Sequence, residues 1–400
     1  MTAWIRKNKV VFYSALLLLL GGVFYWVALK IVNPVEYANS DFFTFWLSGR
    51  LVWQQKNLYD SFTWVFTRFL YQSSWIPDLI FIYPLPMALF FVPFGLLPVY
   101  PAFLAWDVLT QFMILAALLI LLRVESDPMD KRLIFPLAAG ILFFRATIVT
   151  LTNGQVSGLL LLLLAGIISL WAGGKWERGA ALLALFALKP NLGGPLIGLL
   201  SLYLLRRKKF KALLVEALVG LLLWAVGWIM SPNWVMDFWN AGSTKLSQTF
   251  GLSPTIWGVA EHFCGSEQGC TMGIGLGVCA VFLSVYLLML IKMELSAVEA
   301  AEISAALMLL LTPYTWPYDQ LLLVAPIVML TTRIAGKCGH FLSGAVLFLL
   351  IDLVTLLLLA ISGQYQREFW NAGVPFLVFV LLAGYVWRGK STAGGSVRLS

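Results

Sequence analysis

The stretch QVSGLLLLLLAGIISLWAG, residues 155–173, sets the fold class. It passes through six consecutive leucines, Leu159–Leu164, without one charged side chain. An apolar run of about 17–25 residues suits a transmembrane helix. In hydrocarbon every backbone donor must be satisfied within the protein; an open sheet leaves an edge unpaired, and a barrel strand would alternate rather than run solidly apolar. Similar runs recur outward in both directions. The sequence predicts spans at 10–32, 101–123, 133–151, 155–173, 179–189, 191–205, 212–230, 272–292, 297–312, 318–332, 341–361 and 371–387. The expectation is an all-α polytopic membrane protein with about twelve transmembrane helices. Segment 82–98 is apolar but broken by Pro84, Pro86, Pro93 and Pro98, so it is predicted as a re-entrant or membrane-surface helix. The pair 179–189 and 191–205 is short for two full spans, and Lys189-Pro190-Asn191 sits at its tip. Such a tip needs a water-filled or protein-lined cavity.

Composition agrees. The chain has 400 residues, 60% hydrophobic and 12% charged, with mean hydropathy +0.88. A soluble domain carries roughly 25% charged residues, enough to face water all round. The net charge of +8 is read as anchoring of cytoplasmic loops, not as nucleic-acid binding. The N-terminal Trp4-Ile5-Arg6-Lys7-Asn8-Lys9 followed by a long apolar run reads as a retained signal anchor. Four cysteines, Cys264, Cys270, Cys279 and Cys338, and two histidines, His262 and His340, show no metal-ligand spacing. No metal or other cofactor is expected.

The spans place 19 Lys and Arg residues on one side and seven on the other, with Arg145 inside a span. The positive-inside rule makes the rich side cytoplasmic. The predicted protein is multi-pass in the cell membrane with both termini cytoplasmic. It reads as one domain, 1–390, with outer loops at 33–98 and 231–271 and a cytoplasmic tail at 391–400. A full crossing by 82–98 would put Arg123–Arg132 outside, which is why that segment is denied one.

The unusual polar segments then gather on the outer face: Asn39-Ser40-Asp41, Tyr83-Pro84-Leu85-Pro86, Asn153-Gly154-Gln155, Lys189-Pro190-Asn191, the loop 231–271, Thr312–Asp319 and Gly363–Glu368. Asp41 stands where a carboxylate can act as general base on a hydroxyl; alternatively Ser40 or Asp41 caps the helix that follows. A cation at membrane depth such as Lys189 costs roughly 2.5–3.5 kcal/mol and calls for an anion. That anion is either a lipid phosphate or an Asp or Glu. Arg145 has the same choice, or Asp107. Asp352, near mid-span, is expected to pair with a neighbouring helix. Trp46, Trp53, Trp64 and Trp75 suit either an interfacial belt or stacking on sugar rings. Cys264 and Cys270 form a disulfide in an oxidising compartment or stay as thiols. His262 is a base or donor, or a plain loop histidine.

Taken in order, NSDFFTFWLSGRLVWQQKNLYD (39–60), YPLP (83–86), NGQVSGLLLLLLAG (153–166), ALFALKPN (184–191) and TPYTWPYDQ (312–320) resemble the GT-C glycosyltransferases of the family-87 type. Those are polyprenyl-phosphate-mannose-dependent mannosyltransferases and their relatives. The resemblance implies about a dozen helices and a first outer loop with surface helices. It implies a sugar donor on polyprenyl phosphate and inverting transfer to a hydroxyl of a glycolipid, glycan or protein. Asp41 then falls at the base position and Lys189 faces the donor phosphate, with Arg145 as a second cation. Tyr83, Gln155, Asn191, Tyr318, Asp319 and His262 are the candidate substrate contacts. Relatives often carry a histidine late in the chain, in an SP-x-SW-x-H segment; here Tyr318 or Asp319 stands there.

Two other readings compete. A transporter or lipid flippase would use many spans and Pro-broken helices, but no internal repeat is present and the polar features lie on one face. A non-catalytic scaffold would survive loss of both Asp41 and Lys189.

Overall fold

The computed structural model of the chain describes residues 9–71, 73, 80–125, 131–265, 267–338, 341–365 and 368–395. The expectations attached to the N-terminal basic cluster before Lys9, to Trp75, and to Gln366 and Arg367 lie outside these residues. Among the described residues there is no strand. In chain order the helices are α1 Lys9–Ile31, α2 Asp41–Trp53, α3 Ser61–Leu70, α4 Leu85–Phe90, α5 Val92–Gly95, α6 Val99–Glu125, α7 Ile134–Phe143, α8 Arg145–Asn153, α9 Ser157–Ala172 and α10 Trp176–Ala184. They continue as α11 Pro190–Arg206, α12 Phe210–Met230, α13 Trp234–Thr249, α14 Ile256–Cys264, α15 Gln268–Lys292, α16 Ala297–Leu311, α17 Val324–Cys338, α18 Phe341–Tyr365 and α19 Gly373–Gly395. Tight 3-10 turns at Leu185–Leu188 and Pro317–Leu323 lead into α11 and α17.

Each expected span coincides with a helical segment. Among the described residues seven are long and apolar enough to cross a membrane, and the bent pair α7 and α8 makes an eighth. That pair is the span predicted at 133–151. It turns by 62° because Phe144 leaves helical geometry, with ψ of 124°. The sixteen residues of α9 rise about 24 Å at 1.5 Å each, short of a hydrocarbon core of about 30 Å. Segment 82–98 holds α4, of six residues, and α5, of four. Neither reaches more than about 9 Å, so the segment does not cross as a helix.

The chain divides into two compact units. The first comprises Met1–Phe81, Ala88–Met113 and Leu151–Val156; the second comprises Ile82–Met87, Ile114–Thr150 and Ser157–Ser400.

In the first unit α2 is packed inside. Phe42 stacks on Phe103 at 4.7 Å, and Phe45 on Phe91 at 4.9 Å. The chain approaches itself closely where α2 meets α5: a Cβ on Gly49 would lie 2.3 Å from the Phe91 carbonyl oxygen, and one on Gly95 2.4 Å from the Arg50 nitrogen. Only glycine fits at either place. Helix α3 behaves differently. Trp64, Thr67 and Arg68 are buried while Phe62, Phe66, Phe69 and Leu70 are exposed, the pattern of a helix lying in a membrane interface.

In the second unit α16 is the central helix, buried from Ala300 to Leu310 and packed against α11 and α19. Lipid tails are as apolar as leucine, so helices in membranes associate through close packing and polar ties. Ala300, Ala301, Ser304 and Ala305 on α16 allow the close packing. Glu302 supplies a tie: its buried carboxylate accepts two bonds from the Arg333 guanidinium, at 2.7 and 2.8 Å. The α16 N-terminus carries a capping box between Ser296 and Glu299, which satisfies two of its orphan donors.

Candidate functional site

In the first unit a candidate cluster begins at Asp41, the first residue of α2. The other capping candidate, Ser40, makes no cap bond; its hydroxyl donates to the Tyr37 carbonyl at 2.7 Å. The half-buried Asp41 carboxylate accepts a hydrogen bond from Gln155 Nε2 at 2.7 Å. The helix N-terminus also favours a negative charge there. Gln155 is delivered by the turn that ends α8. Gly154 takes φ +64°, a left-handed conformation that glycine adopts without penalty. Its carbonyl accepts from Trp106 Nε1 at 2.9 Å. A Cβ on Gly154 would lie 2.5 Å from both Phe103 Cε2 and Phe42 Cβ.

In the second unit a separate cluster is built on an ion pair. Lys189, the residue before Pro190 at the start of α11, donates to Asp319 Oδ1 at 2.5 Å, and their side chains are 3% and 0% exposed. Asp319 also accepts from the Thr315 hydroxyl at 2.9 Å, the Trp316 amide at 3.1 Å and the Ser157 hydroxyl at 3.3 Å. The Lys189 ammonium lies 4.8 Å from the Tyr318 ring centre, within cation–π range. Asn191 Nδ2 donates to the Tyr314 carbonyl at 3.1 Å, and the Thr312 hydroxyl donates to the Asn191 carbonyl. The motifs ALFALKPN and TPYTWPYDQ are thus bound into one cluster. Of the two anions that Lys189 called for, the structure supplies a carboxylate.

Arg145 opens α8 and binds Glu368 through both terminal nitrogens, at 3.1 and 2.9 Å. Glu368 also accepts from Asn371 Nδ2 at 2.6 Å. This pair is more open, with side chains 13% and 30% exposed. Asp107 accepts from Gln111 instead. His262 stacks on Phe369 at 4.4 Å. Cys264 and Cys270 form a disulfide. Tyr83 is half-buried just before α4. Trp46 and Trp64 are buried, so neither is a belt or a sugar platform in this conformation, while Trp53 is exposed. The expected partner of Asp352 is not seen: among the described residues neither carboxylate oxygen has a hydrogen-bond partner.

Glu368, Thr315 and Ser157 join these clusters without a role read from the sequence. The signal for Thr315 lay in the motif itself, because a Thr four residues before Asp319 can reach its carboxylate across one turn. Glu368 gave no such local signal.

The architecture defines an all-α polytopic membrane protein whose ionisable side chains converge in small buried clusters. A family model, Glycosyltransferase family 87, matches residues 81–313, more than half of the chain. The chain belongs to that family and is a membrane glycosyltransferase of the GT-C type, acting between a sugar donor and an acceptor. Tyr83, Arg145, Gln155, Lys189, Asn191 and His262 fall inside the matched segment, Asp41 precedes it, and Tyr318 and Asp319 follow it. Comparison with curated proteins and with solved structures finds no significant match.

Proposed function

We propose that this glycosyltransferase moves a hexose such as mannose from a polyprenyl-phosphate donor to an acceptor hydroxyl, with inversion and with Asp41 as general base. The observation that carries the proposal is the Asp41 carboxylate itself, half-buried at a helix N-terminus and gripped by a buried amide at 2.7 Å. A carboxylate so placed accepts the acceptor proton as the hydroxyl oxygen attacks the anomeric carbon. The bond from that carbon to the phosphate oxygen breaks on the opposite side, and the electron pair leaves with the polyprenyl phosphate. The charge asymmetry of the loops supports an outer-face site, as does the Cys264–Cys270 disulfide, since disulfides persist in oxidising compartments.

The leaving phosphate needs a cation. A phosphate bound to Lys189 would displace Asp319 and leave a buried carboxylate uncompensated, which costs about 3–5 kcal/mol. The geometry therefore favours Lys189 as a structural tie. Arg145, whose pair stays partly exposed, is the cation we propose for the donor phosphate.

The test is transfer by the purified chain in proteoliposomes. It is offered radiolabelled polyprenyl-phosphate mannose, polyprenyl-phosphate glucose and a nucleotide sugar, each with an alkyl mannoside acceptor. The product anomer is read by NMR. Transfer from a lipid-phosphate sugar with inversion is expected; transfer from the nucleotide sugar alone, or retention, rejects the reading.

A further inference from the structure

Gln155 is 1% exposed, yet its Oε1 has no hydrogen-bond partner among the described residues. A buried amide left half-satisfied is destabilising, and such groups in native structures call for an explanation. Its Nε2 is spent on one atom, Oδ2 of Asp41, 114 residues away in the chain. The backbone that presents it is fixed three ways: the left-handed Gly154, the Trp106 bond to the Gly154 carbonyl, and the Gly154 amide donating to Leu151 O at 3.2 Å. Phe42, the neighbour of Asp41, and Phe103 close on Gly154 so tightly that no side chain fits there. The turn and the start of α2 are held as one rigid piece, with the amide and the carboxylate aligned.

We propose that Gln155 is a positioning residue for Asp41: its amide fixes the rotation of the carboxylate and so determines which oxygen is presented to the acceptor hydroxyl. The proposal rests on the general-base reading of Asp41. A donor on one oxygen also favours the ionised carboxylate, which is the form a base needs. The elements around the start of α2 in this unit carry other charged side chains. Glu36 accepts from Asn33, Arg68 donates to Thr44, and Asp107 on α6 accepts from Gln111. On α2 itself Arg50 donates to the Gly95 carbonyl, and α5 carries no charge.

The test is pH-difference infrared spectroscopy of the full chain in lipid nanodiscs, with the Asp41 carboxyl band assigned by its loss in Asp41→Asn. Gln155→Leu removes the donor, and the midpoint of that band is expected to rise by about one pH unit. Gln155→Glu keeps the side-chain shape; two carboxyls then face each other, and the midpoint rises further because like charges resist joint ionisation. An unmoved midpoint in both variants overturns the proposal. Transfer assays separate this from failure of the general-base reading. With both correct, Gln155→Leu lowers kcat, leaves the donor KM in place and moves the acid limb of the rate profile with the band. If the band moves while Asp41→Asn transfers at the wild-type rate, the hydrogen bond is structural and the base lies elsewhere.

Discussion

Lys189→Met removes the ammonium from the most deeply buried ion pair described. At 2.5 Å and an effective dielectric of 20, the attraction lost is about 6–7 kcal/mol. Desolvation of both ions offsets much of it, so the pair contributes little net stability over an apolar filling. The cost of the single substitution has another origin. Asp319, 0% exposed, is left charged without its counter-ion, and breaking one side of a buried pair costs about 3–5 kcal/mol. The Thr315, Trp316 and Ser157 donors remain and pull the value toward the lower end. Lys189→Met/Asp319→Asn leaves no buried charge, so the double variant should recover most of the loss, with a coupling energy of up to about 3 kcal/mol. The assay is reversible unfolding in mixed micelles, followed by tryptophan fluorescence for wild type, both single variants and the double. Wild-type stability in Lys189→Met, with donor affinity reduced instead, would refute the structural assignment and restore Lys189 as a phosphate ligand.

Other expectations follow from single features. Gly154→Ala puts a side chain on a φ of +64° and against two phenylalanines 2.5 Å away; strain and overpacking should cost about 2–4 kcal/mol in the same unfolding assay, with transfer reduced. Asp60 caps α3 through the Thr63 amide at 2.7 Å, and hydrogen bonds from the Thr63 side chain and backbone hold its carboxyl below the usual range. A depressed carboxyl stabilises the fold fully above its unfolded value and loses that contribution as pH falls through the folded one. Melting temperatures across the acid range should therefore fall more steeply in wild type than in Asp60→Asn. With Cys279 and Cys338 replaced by Ser, the Cys264–Cys270 pair should react with a membrane-impermeant maleimide only after reduction and only from the non-cytoplasmic side; labelling without reductant contradicts the disulfide, and labelling from the cytoplasmic side alone contradicts the orientation.

The helices were legible because lipid imposes long apolar runs, and the runs around Leu159–Leu164 and across 272–292 read directly. The break at Phe144 was not. Pro136 and Gly140 lie two turns and one turn before it and Arg145 directly after, but none stands at the break itself, and 133–151 reads as one span carrying a single charge. The candidate residues Asp41, Gln155, Lys189 and Asp319 were legible one at a time, as polar residues stranded beside apolar runs. Their pairing was not, because Lys189 and Asp319 are 130 residues apart and hydropathy says nothing about which helices touch. The same limit hid Glu368 as the partner of Arg145, 223 residues distant. Burial of Trp46 and Trp64 was equally invisible, since an interfacial and a packed tryptophan have the same flanking pattern.

Asp41 as the general base is tested most directly by the single-turnover rate of Asp41→Asn in proteoliposomes preloaded with a polyprenyl-phosphate sugar, with donor binding measured in parallel. Donor binding is expected to be unchanged and the rate about 10²–10⁴-fold lower. A wild-type rate in that variant contradicts that role.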